Sequence, residues 1–114
     1  MIDFACKQFD LKEIVKCSFG LTKSEYNLLR FLLENNKQFT TEELAKELKL
    51  DKSTIQRGVK SLHQKGLVSR GQINQSVGGY VFLYRIKDRE FLIRKMVEII
   101  DGWSEGVKKE IRNW

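Results

Sequence analysis

The apolar positions of the chain follow helical spacing over most of its length and change to strand-like spacing after Gly66. Near the N-terminus, Phe4, Phe9 and Ile14 recur at roughly the interval of one helix face. Residues with this spacing share one side of an amphipathic helix. We therefore predict a first helix over residues 1–17.

Two capping boxes mark the starts of the helices that follow. Thr22 and Glu25 open one helix, and Thr40 and Glu43 open a short one, each pair three residues apart. A further helix is predicted within a few residues, over 52–65, with apolar positions four and three apart. Two short helices joined by a brief turn are the helix-turn-helix pattern.

Two segments after Gly66 are rich in β-branched and aromatic residues, Leu67–Arg70 and Tyr80–Ile86. The polar, glycine-rich stretch Gln72–Gly79 between them predicts the tip of a β-hairpin. A hairpin directly after a helix-turn-helix is the wing of a winged helix. The predicted fold class is α+β, mostly α: a winged helix-turn-helix with an N-terminal helix and a long C-terminal dimerisation helix.

Length and composition limit the class of protein. With 114 residues, 41% of them apolar and 32% charged, the chain is predicted to be a single winged-helix domain over residues 1–114. Its parts are an N-terminal helix at 1–17, a winged helix-turn-helix core at 22–86 and a C-terminal helix at 88–114. No apolar run approaches the roughly 20 residues of a membrane span, and no secretory signal is seen. We expect a cytoplasmic protein.

The C-terminal helix is predicted to carry an apolar seam, with an interruption near Gly102 or Gly106 as an alternative. A small domain has no core as long as this seam, so we expect it to form the interface of a homodimer. Packing against the first helix of the same chain is the alternative. The seam residues are spaced three or four apart: Met96, Ile100, Trp103, Val107, Ile111 and Trp114.

The net charge of +6 is concentrated in one short segment. Residues 49–70 hold six Lys or Arg residues against Asp51 alone, a net of +5. Such a segment in an otherwise balanced chain is typical of a surface that binds a polyanion. A solvated helix face is the alternative that charge by itself leaves open.

The run TTEELAKELKLDKSTIQRGVKSLHQKGLVSR, residues 40–70, resembles the winged helix-turn-helix of MarR-like and TrmB-like transcriptional regulators. The preceding FGLTKSEYNLLRFLL looks like the lead-in helix of the TrmB type. The resemblance covers residues 19 to about 86 and implies a DNA-binding domain without the ligand-binding domain of full-length TrmB regulators. Wings of such proteins often carry Lys or Arg near the tip, whereas Gln72–Tyr80 has no charge here.

If helix 52–65 lies in the major groove of double-stranded DNA, its polar side faces the bases and phosphates. Base contacts are expected from Ser53, Thr54, Gln56 and Arg57, the first two also suited to phosphate. Phosphate contacts are expected from Lys52, Lys60, Lys65 and Arg70. On the wing, Gln72, Asn74 and Gln75 are expected to reach sugars or minor-groove edges.

No catalytic residue, metal ligand set or cofactor motif is predicted, so we do not expect an enzyme. His63 is interpreted as a surface or packing residue of its helix. Cys6 and Cys17 are interpreted as buried small apolar residues, with a redox-sensing pair as the alternative.

The predicted function is a sequence-specific, duplex-DNA-binding transcriptional regulator. The alternatives are a DNA-coating protein of low specificity and a winged-helix module that docks other proteins. An effector is not predicted from the residues.

Overall fold

Nine elements follow one another in a computed structural model that describes residues 1–114. In chain order they are β1 (Ile2–Phe4), β2 (Lys7–Phe9), α1 (Leu11–Phe19), α2 (Lys23–Glu34), α3 (Thr41–Leu48), α4 (Lys52–Gln64), β3 (Val68–Asn74), β4 (Tyr80–Ile86) and α5 (Arg89–Arg112). The predicted fold class is confirmed: the chain is mostly helical, with a winged helix-turn-helix and a long C-terminal helix. The elements group into two units, residues 21–87 and residues 1–20 with 88–114. The assignment of all residues to one domain stays a prediction.

Both predicted capping boxes are present in the winged-helix unit, residues 21–87. The backbone N–H of Glu25 donates to Thr22 Oγ1 at 3.2 Å, and the N–H of Thr22 donates to Glu25 Oε1 at 2.9 Å. Thr40 and Glu43 repeat the arrangement at the start of α3, with distances of 3.1 and 2.9 Å. Each box satisfies two N–H groups that have no partner within the helix, so it fixes where the helix begins.

The core of this unit lies where α4 packs against α2 and α3. Its fully buried side chains come from every helix of the unit and from the start of the wing: Leu28, Leu32, Leu44, Ile55, Val59, Leu62, Leu67 and Val68. At one point the helices approach very closely, because a Cβ built on Gly58 of α4 would lie 3.0 Å from Leu28 Cδ2 of α2. The absence of a side chain at position 58 is therefore part of how α4 packs against α2.

The turns at the two ends of α4 have left-handed backbone geometry. Lys49 follows α3 with a φ of 55°, and the N–H of Leu50 donates to the carbonyl of Ala45. Gly66 follows α4 with a φ of 75°, as its position after the helix predicted. These two turns set the directions in which α4 begins and the wing departs.

The wing is an antiparallel pair whose first strand is longer than predicted. Gln72 pairs with Phe82 and Asn74 with Tyr80, so Gln72–Asn74 belongs to the ladder and only residues 75–79 form the tip. The assignment of the whole stretch 72–79 to the tip was wrong because the partner strand supplies pairing that polar residues do not signal by themselves. At its base the wing is held by Phe39, which exchanges backbone hydrogen bonds with Tyr84.

The first nine residues differ from the prediction. β1 and β2 pair as a short hairpin, with Ile2 opposite Phe9 and Phe4 opposite Lys7, so the helix expected over 1–17 begins only at Leu11. The rings of Phe4 and Phe9 contact each other at a centroid distance of 6.4 Å. Asp10 caps α1 by accepting from the N–H of Lys12. The spacing of Phe4, Phe9 and Ile14 is therefore compatible with a hairpin over residues 2–9, followed by a helix that begins after Asp10.

α5 runs without a break through Gly102 and Gly106. A glycine costs a helix interior about 1 kcal/mol relative to alanine, which a helix of 24 residues tolerates. The predicted seam is exposed over most of its length, at 64% for Trp103 and 61% for Ile111. α1 contacts α5, but these seam residues are not covered by it. None of the helices combines the length and the apolar character of a membrane span.

Candidate nucleic-acid interface

α4 separates an apolar side from a polar side. Ile55, Val59 and Leu62 are at most 1% exposed. The residues predicted to face DNA lie on the outer side of the helix, where all but the half-buried Thr54 are exposed: Lys52, Ser53, Thr54, Gln56, Arg57 and Lys60. The helix therefore presents the predicted polar set together, although the individual DNA contacts stay predictions.

Asp51 fixes the start of α4 and keeps a negative charge there. Its carboxylate accepts from the N–H of Thr54 at 3.1 Å and from the hydroxyl of Ser53 at 3.1 Å. Hydrogen bonds from the side chain and backbone of Thr54, together with that of Ser53, lower the pKa of Asp51 below its ordinary value. Ser53 and Thr54 thus already have a partner at the helix start, and a DNA contact would compete with it.

A shallow, open pocket of about 400 Å³ lies beside α4, where α4 meets the beginning of α2. Arg57 and Ser61 line it from α4, and Thr22 and Ser24 line it from the first turn of α2. Sequence reasoning did not include the beginning of α2 in the site. The capping box was the available signal, because it places Ser24 in the first turn of α2. Arg57 therefore borders a pocket that is also lined by residues with hydroxyl groups.

Lys65 has a partner inside the winged-helix unit. Its Nζ lies 3.6 Å from Glu25 Oε2, and Glu25 is only 8% exposed. Burial raises the pKa of Glu25, but hydrogen bonds from Ser61 and Thr22 and the charge of Lys65 outweigh it, so the pKa is lowered. The expected phosphate contact of Lys65 stays a prediction, and it would compete with this ion pair.

Replacement of Glu25 by Gln should lower the free energy of unfolding by about 1–3 kcal/mol at pH 7, because a buried hydrogen-bonded carboxylate loses its charge. The folded-state pKa lies below the ordinary value of 4.5. The charged form therefore stabilises the fold above pH 4.5, and this stabilisation disappears as the pH falls through the lower folded value. Urea unfolding over a series of pH values should show the largest difference in the free energy of unfolding between variant and wild type at pH 7, and the difference should shrink as the pH falls below 4.5.

Glu43→Gln is the matched control, since Glu43 has the same capping-box position in α3 but is exposed. Glu43→Gln should lower the free energy of unfolding by less than Glu25→Gln does. Equal losses for the two variants would show that the ion pair and burial at Glu25 add nothing to the cap.

The wing presents a row of side chains on one face. The guanidinium of Arg70 lies over the ring of Phe82 at 4.2 Å, and Tyr80 contacts Phe82 at a centroid distance of 5.0 Å. On β3, the strand that also carries Arg70, the side-chain amide of Gln72 donates to Asn74 Oδ1 at 3.3 Å. Arg70, Gln72 and Asn74 therefore lie together on this face, with Gln75 following in the tip.

The remaining chemistry-bearing residues do not assemble into a site. His63 is half-buried on α4, and no three His, Cys, Asp or Glu side chains are grouped as metal ligands. Cys6 lies in the turn between β1 and β2, Cys17 lies on α1, and both thiols are exposed. The interpretation of the cysteines as buried apolar residues was therefore wrong: Cys6 lies in a hairpin that replaces the first part of the expected helix, and Cys17 lies on the exposed side of α1. The redox alternative stays a prediction.

A basic helix, a preceding short helix and a following hairpin of this kind define a winged helix-turn-helix protein. Residues 19–74 match the MarR family. A possible transcriptional regulator from Methanosarcina mazei Go1 has a similar structure, with a TM-score of 0.95, 38% identity, and coverage of 100% of this chain and 96% of that one. An uncharacterized protein of Methanocaldococcus jannaschii is 31% identical over 103 residues, 90% of this chain and 84% of that protein.

The chain belongs to the MarR family of winged-helix transcriptional regulators. A more distant structure, a MepR mutant of S. aureus bound to an oligodeoxyribonucleotide, has a TM-score of 0.58 and 15% identity. The similarity covers 87% of this chain and 72% of the MepR chain. At that identity the similarity shows the fold alone.

Proposed function

We propose that the protein is a homodimeric regulator that binds specific duplex DNA sequences by placing α4 in the major groove. The observation that carries the proposal is the exposed polar side of α4, on which Gln56, Arg57 and Lys60 lie together. Gln can pair bidentately with adenine and Arg with guanine, each worth about 1–3 kcal/mol of discrimination. The family supports DNA as the ligand, and the MepR mutant bound to an oligodeoxyribonucleotide is a protein of the same fold.

The second half of the proposal concerns α5. Its apolar seam is exposed to solvent in the single chain, and burial of apolar surface is the main favourable term in association. We therefore propose that the seam pairs with the same seam of a second copy. A two-fold dimer would present two copies of α4 to an inverted repeat with half-sites about one helical turn apart. Such a DNA ligand would be chromosomal, so we also propose a cytoplasmic location.

The proposal is tested by selection from a randomised duplex pool at near-physiological salt, with sequencing of the bound fraction. We expect enrichment of an inverted repeat. Retention of DNA without enrichment would replace the proposal by a DNA-coating protein, for which specific and random duplexes bind about equally rather than differing by about 10³ or more. No retention would instead favour a protein-docking module.

Arg57→Ala and Lys60→Ala should affect the DNA complex in different ways. Arg57→Ala should relax the base preference at one position of each half-site, because a bidentate base contact is lost. Lys60→Ala should weaken binding to all duplexes and reduce the slope of log K against log salt by about one per chain, because one phosphate contact is lost. Both effects can be measured by fluorescence anisotropy on the enriched and a random duplex at several salt concentrations.

Lys109→Ala is the control for the loss of one positive charge, because Lys109 lies on α5. It should leave the base preference and the salt slope unchanged. If Arg57→Ala costs the same on specific and random DNA, Arg57 does not contact a base. We would then assign Arg57 to a phosphate contact.

A further inference from the structure

Asp51 is the one acidic residue of the basic segment 49–70, and it lies at the end of α4 that faces the bases in the proposed complex. Its side chain is exposed. The Lys and Arg residues of this segment attract DNA phosphates, whereas a carboxylate repels them. A negative charge here therefore weakens binding to DNA in general, and it favours the complex only where the duplex donates a hydrogen bond to it.

The carboxylate of Asp51 is held in one orientation by the first turn of α4. Oδ1 accepts from the N–H of Thr54 and Oδ2 accepts from the hydroxyl of Ser53, both at 3.1 Å. A carboxylate has about four acceptor positions, so each oxygen can accept a further hydrogen bond. A side chain that is already ordered loses little conformational freedom when a ligand binds to it.

The side chain of Asp51 is charged at neutral pH. The hydrogen bonds from Thr54 and Ser53 lower its pKa, and the positive charge of Arg57 lowers it further. Asp51 is therefore an ionised group that accepts hydrogen bonds and donates none. Because the charge of Arg57 acts on Asp51, the residue proposed to contact guanine lies near this carboxylate on the same helix.

We propose that Asp51 is a specificity-determining residue, whose carboxylate excludes phosphates from the start of α4 and accepts a hydrogen bond from the amino group of a cytosine. The inference rests on the proposed function, since it adds a base contact to the same major-groove complex. The start of a helix ordinarily attracts phosphate, because its N–H groups and its dipole favour negative charge. Here the carboxylate already binds these groups, so it repels a phosphate and leaves the base edges as its ligand.

The preference for cytosine follows from the hydrogen-bonding groups in the major groove. Guanine presents the acceptors N7 and O6, and thymine presents the acceptor O4 and a methyl group, so neither base donates to a carboxylate. Adenine presents an amino donor next to the acceptor N7, which repels a carboxylate oxygen. Cytosine presents its N4 amino donor without an acceptor beside it. Asp51 should therefore favour cytosine over the other bases.

Asp51→Asn tests the proposal, because Asn caps helices about as well as Asp but carries no charge and adds an amide donor. Selection from a randomised duplex pool should enrich a cytosine in each half-site with the wild-type protein, and the variant should lose this preference. In fluorescence anisotropy, replacement of the cytosine should weaken wild-type binding about 10-fold and variant binding less than about 2-fold. The variant should also bind a random duplex about 3-fold more tightly, because the repulsion between carboxylate and phosphate is removed.

Asp88→Asn is the matched control, because Asp88 is the exposed N-cap of α5, outside the winged-helix unit. Its carboxylate accepts from the N–H of Glu90 at 3.2 Å, so the substitution makes the same change of charge at the same kind of cap. It should leave the base preference unchanged. Asp51→Ser keeps a good N-cap without the carboxylate, and it should lose the cytosine preference as Asp51→Asn does.

The outcomes separate this inference from the proposed function. Far-UV circular dichroism spectra like that of the wild type are expected for all three variants, since each keeps a residue favoured at N-caps. An enriched sequence that is the same for the wild type and both Asp51 variants, or one in which the base they affect is not cytosine, overturns the role of Asp51 and leaves the proposed function intact. A wild-type protein that retains DNA without enriching a sequence, or that retains no DNA, overturns both.

Discussion

Replacement of Leu62 by alanine is expected to lower the free energy of unfolding by about 2–5 kcal/mol. Leu62 is 0% exposed on the inner side of α4, the helix that packs against both α2 and α3. The variant loses the transfer free energy of the deleted groups and leaves a cavity that its closely packed neighbours fill only in part. Because small domains are stable by about 5–15 kcal/mol in total, this one change removes a large share.

Urea unfolding followed by two signals measures this effect and also tests the number of cooperative units. Both tryptophans lie at the C-terminal end, in the unit that does not contain Leu62, whereas far-UV circular dichroism reports on all helices. If residues 1–114 form one domain, Leu62→Ala shifts both transitions together. Leu33→Ala is the control, because Leu33 is an exposed leucine on α2. This substitution should lower the free energy of unfolding far less than Leu62→Ala does. A Leu62→Ala loss no larger than that of Leu33→Ala would contradict the packing described above.

Replacement of Trp103 by glutamate should convert the proposed dimer to a monomer. Trp103 lies in the middle of the α5 seam and is 64% exposed in the single chain, so the substitution does not disturb a packed core. In the dimer it would bury an unpaired charge, which is strongly unfavourable. Loss of the second binding site should reduce affinity for an inverted repeat by about 100-fold, with affinity for a single half-site unchanged. Light scattering after size exclusion and fluorescence anisotropy measure the two effects.

Two variants control for this result. Arg94→Gln changes the net charge by the same single unit on the opposite side of α5, since nine residues rotate a helix by about 180°. It should remain a dimer, as should Trp103→Phe, which keeps an aromatic ring. A dimeric Trp103→Glu protein would place the interface elsewhere.

The local signals in the chain predicted the winged-helix unit well. The capping boxes at Thr22 and Thr40 and the cap at Asp51 depend on residues two or three positions apart, and all are present. The C′ glycine at position 66 is equally local. Elements defined by such short-range hydrogen bonds can be located from a single sequence because nothing distant has to be known.

The features that were missed depend on distant or unusual geometry. The hairpin β1–β2 turns through Ala5, which has a φ of 51° although it is not one of the residues that usually mark such turns. The pairing of Glu25 with Lys65 joins residues 40 positions apart. In the wing, the ladder between Gln72 and Phe82 depends on the partner strand. Of the candidate site, sequence predicted the polar side of α4 but not the pocket at the beginning of α2.

The close approach at Gly58 makes α4 sensitive to changes on its hidden side. A methyl group there would lie 3.0 Å from Leu28, a residue that is itself 1% exposed, so either α4 or the Leu28 side chain must shift by a few tenths of an ångström. Gln56 and Arg57 belong to the same rigid helix and would move with it. In the proposed DNA complex, a shift of α4 would move both side chains relative to the bases, so a substitution at position 58 should alter the preferred base sequence without changing any residue on the polar side of α4.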